Sequence, residues 1–509
     1  MILRISTFFL LLALPLAMFS QTRGVCGFTG EKEFSQNIKA LKSWVAEGNL
    51  ETRGNTVTYV PVKFHIISKS DGSKGVSEQV VLDALCHLNE EYGDQDIQFY
   101  IYGGFKYIKN DIAYENPGDA ELTLQGSKDS KAMNIFMGLN ATPPGGGLPG
   151  GVTLGYFAGQ PTQDWIIIKN SEVNGFSSTI PHEVGHYFNL DHPFHGWDCT
   201  AWTEAEHGNP VSSLMSPCDP EIPNEFADGS NCDDAGDYLC DTPADYNLGY
   251  LEDPEDCNYT GPCMDPQGDP MDPQEDNFMG YFNGCSDYFF TPQQKEIIAA
   301  RLVQRSNLAT NFTPPATTID GTTTLVQPAD GSTSPAFNNV AFEWAPVDGA
   351  NQYLLEIDRS NGFSVAPIRL IVWGTYKVVQ GLTADKKYYW RVRPFNSYYT
   401  CAPKSEIWDF TTGTAINTVE PPYVTNWTVR PNPVNPGQTL QLEINTTESF
   451  DATVMVRTLS GQTLQTMQTS FSMGNSTLDI PTNGMANGLY FLTVQSKAGV
   501  LNERIVVAH

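Results

Sequence analysis

The chain has 509 residues, enough for about three domains, and 40% of them are hydrophobic, which is sufficient for packed cores. Its 58 acidic residues outnumber its 29 basic residues and give a net charge of −29. This surplus argues against nucleic acid or an anionic membrane as partner, because both repel an acidic protein. It fits a protein that binds cations such as calcium, or one that is simply soluble.

The N-terminal residues have the pattern of an export signal. Arg4 supplies a positive charge, residues 5–19 are apolar, and Ser20-Gln21 is a plausible cleavage point, so residues 1–20 are predicted to be a signal peptide. The apolar run is too short for a membrane span and no later stretch is long enough, so we expect no transmembrane segment. The mature protein is expected to be exported, soluble and able to form disulfides.

Residues 21–53 are polar with a weak helical pattern, and we interpret them as a pro-segment. Cys26 lies in a Val-Cys-Gly sequence, and its thiolate could fill the open position of a catalytic zinc ion and block water. Cys26 could instead be half of a disulfide, or a lipid-modified residue, although no lipobox precedes it. Arg53-Gly54 is a plausible activation site.

An α/β pattern begins near residue 54. Residues 77–92 carry apolar side chains at helical spacing, and a second helix is expected from about Ser178. Strands are predicted for residues 57–67, 97–102, 132–137 and 165–169. These alternating elements predict a mixed α/β half that precedes the most informative motif of the chain.

That motif is HEVGHYFNLDH at residues 182–192, which holds three of the 8 histidines of the chain. His182 and His186 are four residues apart, so on a helix both imidazoles face one side and can bind one zinc ion. A catalytic zinc needs three protein ligands and one open position, and His192 can be the third ligand if the chain turns back after the helix. Such a turn needs a residue that tolerates positive φ, and Asn189 stands there.

Glu183 follows the first histidine and is placed to take a proton from the attacking water rather than to bind zinc. The alternative, ordinary histidines on a helix, is weakened because three of them fall in one short motif. Glu204 or Glu206 could be the third ligand of a thermolysin-like site, but the offset of His192 argues against that arrangement.

The stretch from residue 199 to residue 285 carries seven cysteines, many carboxylates and little regular pattern. Disulfides are therefore expected to stabilise it in place of a large core. The spacing alone does not decide which cysteines pair. Asp233, Asp234, Asp237 and Asp241, beside Thr242, supply the oxygen ligands that calcium prefers, although a solvated acidic loop is the alternative.

Four segments together resemble the metzincin zinc peptidases, and within them the pappalysin-like branch. The histidine motif is similar to HExxHxxGxxH, with Asn189 in place of the glycine. Residues 236–243 (GDYLCDTP), 277–281 (NFMGY) and 290–294 (FTPQQ) resemble the GDxxxDTP segment, the Met-turn and the closing FTxxQ sequence of that branch. The resemblance covers about residues 55–308 and implies a zinc endopeptidase that is made as a zymogen.

The resemblance also implies roles for single residues. Met279 would lie beneath the zinc ligands without binding the metal, and the Tyr281 hydroxyl could steady the oxyanion of the tetrahedral intermediate, unless Tyr281 is only a packed core residue. Asp237 and Thr242 would bind a structural calcium ion. Cys26 would bind zinc in the latent form.

Further implications of the resemblance concern disulfides and substrates. Cys257–Cys285 and Cys232–Cys263 are the expected pairs, and residues 155–158 would form a strand that borders the cleft and pairs with extended substrate. Some relatives that prefer basic side chains carry an Asp shortly after the Met-turn Tyr. Here residues 282–284 are Phe-Asn-Gly, so no preference for arginine is carried over.

The remainder of the chain has the pattern of two all-β domains. Residues 324–413 contain short strands with a Trp and Tyr pattern that resembles a fibronectin type III domain, whose expected role is binding or spacing. Residues 425–509 open with a Pro-Asn-Pro segment and end after Gly-Leu-Tyr-Phe, which resembles the C-terminal sorting domain of type IX secretion. Another accessory sandwich is the alternative for this last domain.

The sequence thus predicts an α+β metzincin-like zinc peptidase domain, residues 54–308, followed by two all-β sandwich domains. We expect one catalytic zinc, a structural calcium, protein or peptide substrates and no nucleic acid. The expected location is outside, or on the surface of, a Gram-negative bacterium that uses type IX secretion. The alternative is a surface adhesin whose β domains do the binding and whose peptidase domain is secondary or inactive.

Overall fold

The structure is a computed structural model that describes residues 24–26, 32–50, 57–144, 152–160, 162–250, 257–310, 314–415, 421–458 and 462–508. The chain divides into two compact units, Met1–Pro314 and Pro315–His509. The predicted signal peptide and the Arg53-Gly54 site lie outside the described residues. Among the described residues, no helix is both long enough and apolar enough to cross a membrane.

The first unit is built on one mixed sheet. Its strands are β1 (Gly24–Cys26), β2 (Thr58–Ser68), β3 (Ile97–Ile101), β4 (Lys106–Lys109), β5 (Met133–Gly138), β6 (Val152–Ala158) and β7 (Trp165–Lys169). Their order is β1-β6-β7-β5-β2-β3, and β4 also pairs with β2. Only β6 and β7 pair antiparallel, while the other neighbours are parallel. The strands predicted from alternation are confirmed to within about two residues at each end, whereas β1 and β4 were not predicted.

Helices cover the sheet and end the unit. They are α1 (Lys32–Ala46), α2 (Glu78–Glu91), α3 (Asp111–Glu115), α4 (Glu121–Gln125), α5 (Thr179–Tyr187), α6 (Glu204–His207) and α7 (Pro292–Gln304). The helix α7 begins with a capping box, in which Thr291 and Gln294 bond each other's backbone N–H groups. This cap satisfies backbone N–H groups at the start of α7.

The stretch after α5 is irregular, as expected, and is held by disulfides. The structure contains Cys199–Cys218, Cys232–Cys240 and Cys257–Cys285. The expected Cys257–Cys285 pair is confirmed, but the expected Cys232–Cys263 pair is wrong, because Cys263 is a free, buried thiol. The chain turns back sharply at Gly236 and Tyr238, both with positive φ, and this brings the Cα atoms of Cys232 and Cys240 to 5.1 Å.

The second unit is all β and contains two hydrophobic cores. The first core is enclosed by β8 (Leu325–Gln327), β9 (Ser332–Ala336), β10 (Asn339–Trp344), β11 (Gln352–Asp358), β12 (Ile368–Trp373), β13 (Tyr376–Gln380), β14 (Lys387–Phe395) and β15 (Trp408–Ala415). These strands form sheets β13-β10-β8 and β12-β11-β14-β15-β9. Trp344 and Trp390, which are buried between the sheets, confirm the predicted sandwich.

The second core is enclosed by β16 (Val424–Arg430), β17 (Thr439–Thr446), β18 (Phe450–Thr458), β19 (Thr463–Phe471), β20 (Gly474–Pro481), β21 (Gly488–Ser496) and β22 (Val500–Val507). Their sheets are β16-β17-β20 and β19-β18-β21-β22. Alternation sends Leu440, Leu442 and Ile444 of β17 to the interior, which is the period-2 burial of a sandwich strand. The predicted fold class, an α+β domain followed by two all-β sandwiches, is therefore confirmed.

Candidate metal centre

The helix α5 carries the first two histidines of the motif on one face. After its C-cap at Phe188 the chain reverses at Asn189, whose φ is 71°. This left-handed residue confirms the predicted turn, and it lets the Leu190 backbone N–H donate to the Gly185 carbonyl at 3.0 Å. The reversal carries His192 back beside the helix.

Three imidazole nitrogens converge as a result. The Nε2 atoms of His182 and His186 are 3.1 Å apart, those of His186 and His192 are 3.1 Å apart, and those of His182 and His192 are 3.3 Å apart. Tetrahedral nitrogen ligands at ~2.0–2.1 Å from zinc lie about 3.3 Å from one another, so this donor set fits a zinc ion. All three residues are buried.

The opposite ring nitrogens fix how the imidazoles are oriented. His182 Nδ1 donates to the Phe278 carbonyl at 2.7 Å, and His186 Nδ1 donates to the Leu190 carbonyl at 2.8 Å. A carbonyl can only accept, so each proton is on Nδ1 and the Nε2 lone pairs face one another. Burial lowers the pKa of His182 to about 3, helped by the charge of His192, and it lowers the pKa of His186 also. These neutral imidazoles suit metal ligands.

A carboxylate that sequence reasoning missed orients the third histidine. His192 Nδ1 lies 2.7 Å from Oδ1 of Asp198, and the other oxygen of Asp198 accepts from the Gly196 N–H at 3.0 Å. Burial alone would raise the pKa of Asp198, but its hydrogen bonds from His192 and His195 outweigh burial and keep it ionised. The spacing of Asp198 from His192 gives no sequence signal, because it depends on the turn between them.

Glu183 is fully buried beside the histidines. The strand β6 passes so close that a Cβ atom on Gly155 would lie 3.0 Å from Cγ and 3.1 Å from Oε1 of Glu183. The glycine thus allows the strand and the carboxylate to approach, which no larger residue would permit without a shift. The absence of a side chain at Gly155 is a second feature that the sequence alone did not single out.

Met279 lies beneath the motif helix. A Cβ atom on Gly185, which stands between the two helix histidines, would meet the Met279 sulfur at 2.5 Å. The sulfur therefore packs on the backbone of α5. The Tyr281 ring centroid is 5.1 Å from that of His192 and 6.1 Å from that of His182. Tyr281 is thus both packed in the core and close to the triad.

The four aspartates of the acidic loop lie in three different environments. Asp233 and Asp234 form ion pairs with lysines of α1, and Asp241 accepts from Thr291 Oγ1 and the Gln293 N–H, both at 2.8 Å. These three carboxylates therefore have other roles than a shared cation site. Only Asp237, of the four aspartates considered, is deeply buried.

Asp237 belongs to a buried group of carboxylates. Its Oδ1 accepts from the Thr242 hydroxyl at 2.7 Å, while its Oδ2 has no hydrogen-bond partner among the described residues. Burial raises the pKa of Asp237 to about 7 and that of Asp245 to about 6. Glu225, which sequence reasoning missed, has a pKa raised by burial and then by Asp237 and Asp245. Clustered buried carboxylates of this kind are stabilised by a cation.

The N-terminal segment contacts the rest of the first unit at two places. The strand β1 pairs in parallel with the outer edge of β6, with Cys26 opposite Gly155. The helix α1 buries Ile38 and Leu41. Its Lys42 lies 2.8 Å from the Asp233 carboxylate and its Lys39 lies 3.2 Å from that of Asp234.

The α/β fold and the histidine triad are the arrangement of a metalloprotease, and comparison with known proteins agrees. An extracellular metalloprotease of Colletotrichum graminicola (strain M1.001 / M2 / FGSC 10212) is 30% identical over 213 residues, which cover 37% of this chain and 71% of that protein. One from Verticillium alfalfae (strain VaMs.102 / ATCC MYA-4576 / FGSC 10136) is 26% identical over 193 residues, 36% of this chain and 66% of that protein. The chain belongs to this family of extracellular metalloproteases.

The C-terminal residues match a second family. Residues 428–508 fit the family described as "Secretion system C-terminal sorting domain", which identifies the last sandwich as a sorting domain. Among solved structures, a promirolysin mutant of Tannerella forsythia is 16% identical, covering 56% of this chain and 99% of that chain, with a TM-score of 0.34. An fn3 domain of human contactin 1 is 19% identical, covering 17% of this chain and 74% of that chain, with a TM-score of 0.15.

Proposed function

We propose that this metalloprotease is a zinc-dependent endopeptidase of the metzincin, pappalysin-like type, with protein or peptide substrates. The observation that carries the proposal is the convergence of the His182, His186 and His192 Nε2 atoms at 3.1–3.3 Å. The Nδ1 atoms of the same histidines are hydrogen-bonded to two carbonyls and a carboxylate, and these bonds fix the direction of the Nε2 lone pairs. Histidines that bind metals are commonly oriented in this way.

When bound there, zinc supplies a Lewis acid that polarises the scissile carbonyl and lowers the pKa of the attacking water. Glu183 then acts as the general base: its carboxylate takes a proton from that water and passes it to the leaving amine. Its burial beside Gly155 keeps bulk water away from the carboxylate. We propose that the hydroxyl of Tyr281, whose ring is 5.1 Å from that of His192, hydrogen-bonds the oxyanion.

We propose that the strand β6 also binds the substrate. Its residue Gly155 lies beside Glu183, and its outer edge can pair with an extended peptide through main-chain hydrogen bonds. In the structure this edge carries β1 instead, with Cys26 opposite Gly155. The pairing supports a latent form in which the N-terminal segment, residues 21–53, excludes substrate and Cys26 binds the zinc. Cleavage after Arg53 would then activate the enzyme.

We propose a structural calcium site at Asp237 and Thr242, with Glu225 as a further ligand. Oxygen donors and clustered negative charge are what calcium prefers. Burial raises the pKa of Asp237 to about 7, and burial followed by the charges of Asp237 and Asp245 raises the pKa of Glu225, so a bound cation would favour the ionised form of both groups. Calcium would hold the loop that carries the Cys232–Cys240 disulfide.

Two segments of the chain, the C-terminal sorting domain and the proposed signal peptide, bear on where the protein is located. The sorting domain at residues 428–508 supports export to the cell surface or beyond it. We propose that residues 1–20 are a signal peptide and that type IX secretion then carries the protein across the outer membrane of a Gram-negative bacterium. The fibronectin-like domain would either bind a partner or act as a spacer between domains. No observation among the described residues favours the adhesin alternative.

One experiment tests the peptidase proposal. Zinc-loaded full-length protein and its Glu183→Ala variant are treated with limited trypsin, the trypsin is inactivated, and both are given a mixed peptide library. We expect cleavage only by the unsubstituted protein, and its loss when a chelator removes zinc. Folded, zinc-loaded protein that cleaves nothing would reject the proposal and favour the adhesin alternative.

A further inference from the structure

The C-terminal end of α5 leaves one carbonyl group to a donor from outside the helix. The carbonyls of residues 184–186 accept from backbone N–H groups of residues 188–190, which form the reversal after the helix. The Tyr187 carbonyl accepts instead from the side chain of Arg305, the residue at the C-cap of α7. Because the last carbonyls of a helix have no partner within it, this side chain completes the end of α5.

Arg305 connects three elements of the first unit. Its Nε and Nη2 atoms donate to the Tyr187 carbonyl at 3.1 and 2.8 Å. Its Nη1 atom lies 3.0 and 3.2 Å from the two oxygens of Asp164, the residue that directly precedes β7. Its Cζ atom lies 3.4 Å from the centroid of the Tyr187 ring. The planar guanidinium thus holds both the backbone and the ring of one residue of α5, which a lysine ammonium cannot do.

The surroundings of Arg305 strengthen these contacts. Its side chain is only 7% exposed, so its hydrogen bonds are shielded from water. The carboxylate of Asp164 balances the buried charge, and the negative end of the α5 dipole adds to the attraction. Removal of the guanidinium would deprive the Tyr187 carbonyl of two donated hydrogen bonds and would release the end of the helix.

Tyr187 lies within the segment that sets the spacing of two histidines. It follows His186 directly and stands two residues before Asn189, where the chain reverses towards His192. His186 Nδ1 donates to the Leu190 carbonyl at 2.8 Å, so the orientation of this imidazole also depends on the reversal. A shift of the Tyr187 peptide would therefore change both where His186 points and where His192 returns.

We propose that Arg305 is a positioning residue of the metal centre, which keeps His186 and His192 at the spacing that zinc needs by holding the Tyr187 carbonyl. The proposal rests on the zinc site proposed above. The guanidinium acts through Tyr187 and is not itself a ligand, because it has no lone pair to offer to a metal. A residue that only stabilised the fold would change the melting temperature but not the coordination of the metal.

The test measures the metal site directly in full-length protein. Arg305→Lys keeps the positive charge but loses the paired contact with the Tyr187 carbonyl. We expect zinc to bind at least about tenfold more weakly, as measured by competition with a chelator. The visible absorption of the Co²⁺-substituted protein should also change, because that absorption depends on how the ligands are arranged. Both measurements are made at a temperature at which circular dichroism shows folded protein.

Two further variants sharpen the result. Arg369→Lys is the matched control, since it alters a partly buried ion pair with Glu356 in the first sandwich and should change neither zinc affinity nor the Co²⁺ spectrum. Asp164→Asn leaves the guanidinium on the Tyr187 carbonyl but removes its counter-charge. Zinc affinity should fall in this variant also, though by less than in Arg305→Lys.

The outcomes separate this proposal from the one on which it rests. Folded Arg305→Lys with the zinc affinity and Co²⁺ spectrum of the unsubstituted protein overturns the positioning role, even if its melting temperature falls. If Arg305→Lys does not fold, unchanged zinc affinity in Asp164→Asn overturns that role instead. Unsubstituted protein that binds no zinc rejects the metal centre and this proposal with it, whereas bound zinc without peptide cleavage rejects only the peptidase function.

Discussion

Gly155 lies against the Glu183 carboxylate so closely that a single added carbon would stand 3.0 Å from Glu183 Cγ and 3.0 Å from Ile168 Cδ1. Contacts at that distance force one of the neighbours to move. One contact, between Gly155 and the Glu183 side chain, therefore positions both the strand that would hold the substrate and the residue that would carry the proton.

Gly155→Ala should lower kcat about tenfold or more, because small displacements of a catalytic group have large effects on rate. Zinc content should stay the same, since no histidine is touched. The measurement is steady-state kinetics together with bound zinc. Gly93→Ala is the matched control, since its added carbon would meet nothing within 4 Å. Unchanged kcat in Gly155→Ala would show that this contact does not position the carboxylate.

Glu183→Gln should lower kcat by ~10²–10⁴, the usual contribution of a general base, while zinc remains bound. The amide keeps the shape of the side chain but cannot accept the proton. Peptide cleavage and zinc content measured on the same sample decide the matter. A variant that keeps most of its activity would remove Glu183 from the mechanism.

Asp198→Asn should weaken zinc binding by ~10–100-fold, because outer carboxylates fix the tautomer and basicity of a histidine ligand. The amide can accept from His192 Nδ1 but carries no charge. Competition with a chromogenic chelator measures the effect without any need for activity. Asp228→Asn, an exposed carboxylate on the same irregular stretch, should leave zinc affinity as it was. Equal affinities in both variants would contradict the role of Asp198.

Lys39→Glu combined with Lys42→Glu should make the protein less latent. The two ion pairs of α1 with Asp234 and Asp233 would become repulsive, so the N-terminal segment would dissociate more often. We expect a severalfold rise in peptide cleavage before any activation. Lys106→Glu, which changes the charge of an exposed strand residue, serves as control. Identical low activity in all three proteins would mean that α1 does not contribute to latency.

Calcium should stabilise the first unit. At a free concentration 100 times its Kd it would add ~2.7 kcal/mol to the free energy of unfolding, by mass action. The melting temperature of zinc-loaded protein should therefore rise by a few degrees. Asp237→Asn should abolish this rise, whereas Asp233→Asn, an exposed carboxylate of the same loop, should keep it. A calcium effect of equal size in both variants would place the ion elsewhere.

The sequence predicts the parts of the site that depend on local geometry. The spacing of His182 and His186 specifies one helix face, and Asn189 specifies the reversal that returns His192. These features need only a few residues of chain and simple backbone rules. The same holds for the strands β2, β5 and β7, because their runs of apolar residues are enough to predict that these strands are buried.

Features that depend on contacts between distant segments were missed. Glu225 approaches Asp237 only after the irregular stretch has folded, and Cys240 reaches Cys232 only because Gly236 and Tyr238 both adopt positive φ. A tyrosine rarely takes that conformation, so Tyr238 gave no signal that the chain turns back there. The sequence signal for α1 is stronger than the weak helical pattern assigned to residues 21–53, because Phe34, Ile38, Leu41 and Val45 recur there at helical spacing.

The strand β1 covers one edge of the mixed sheet. The N–H and C=O groups on the outer side of β6 form an open sheet edge, and open edges pair with strands of other chains and promote aggregation. While β1 is paired there, with Gly24 opposite Val152 and Cys26 opposite Gly155, that edge is covered. If the N-terminal segment is removed on activation, as proposed, its presence would guard against self-association during export, and its removal would open the same edge to substrate and to strands of other chains.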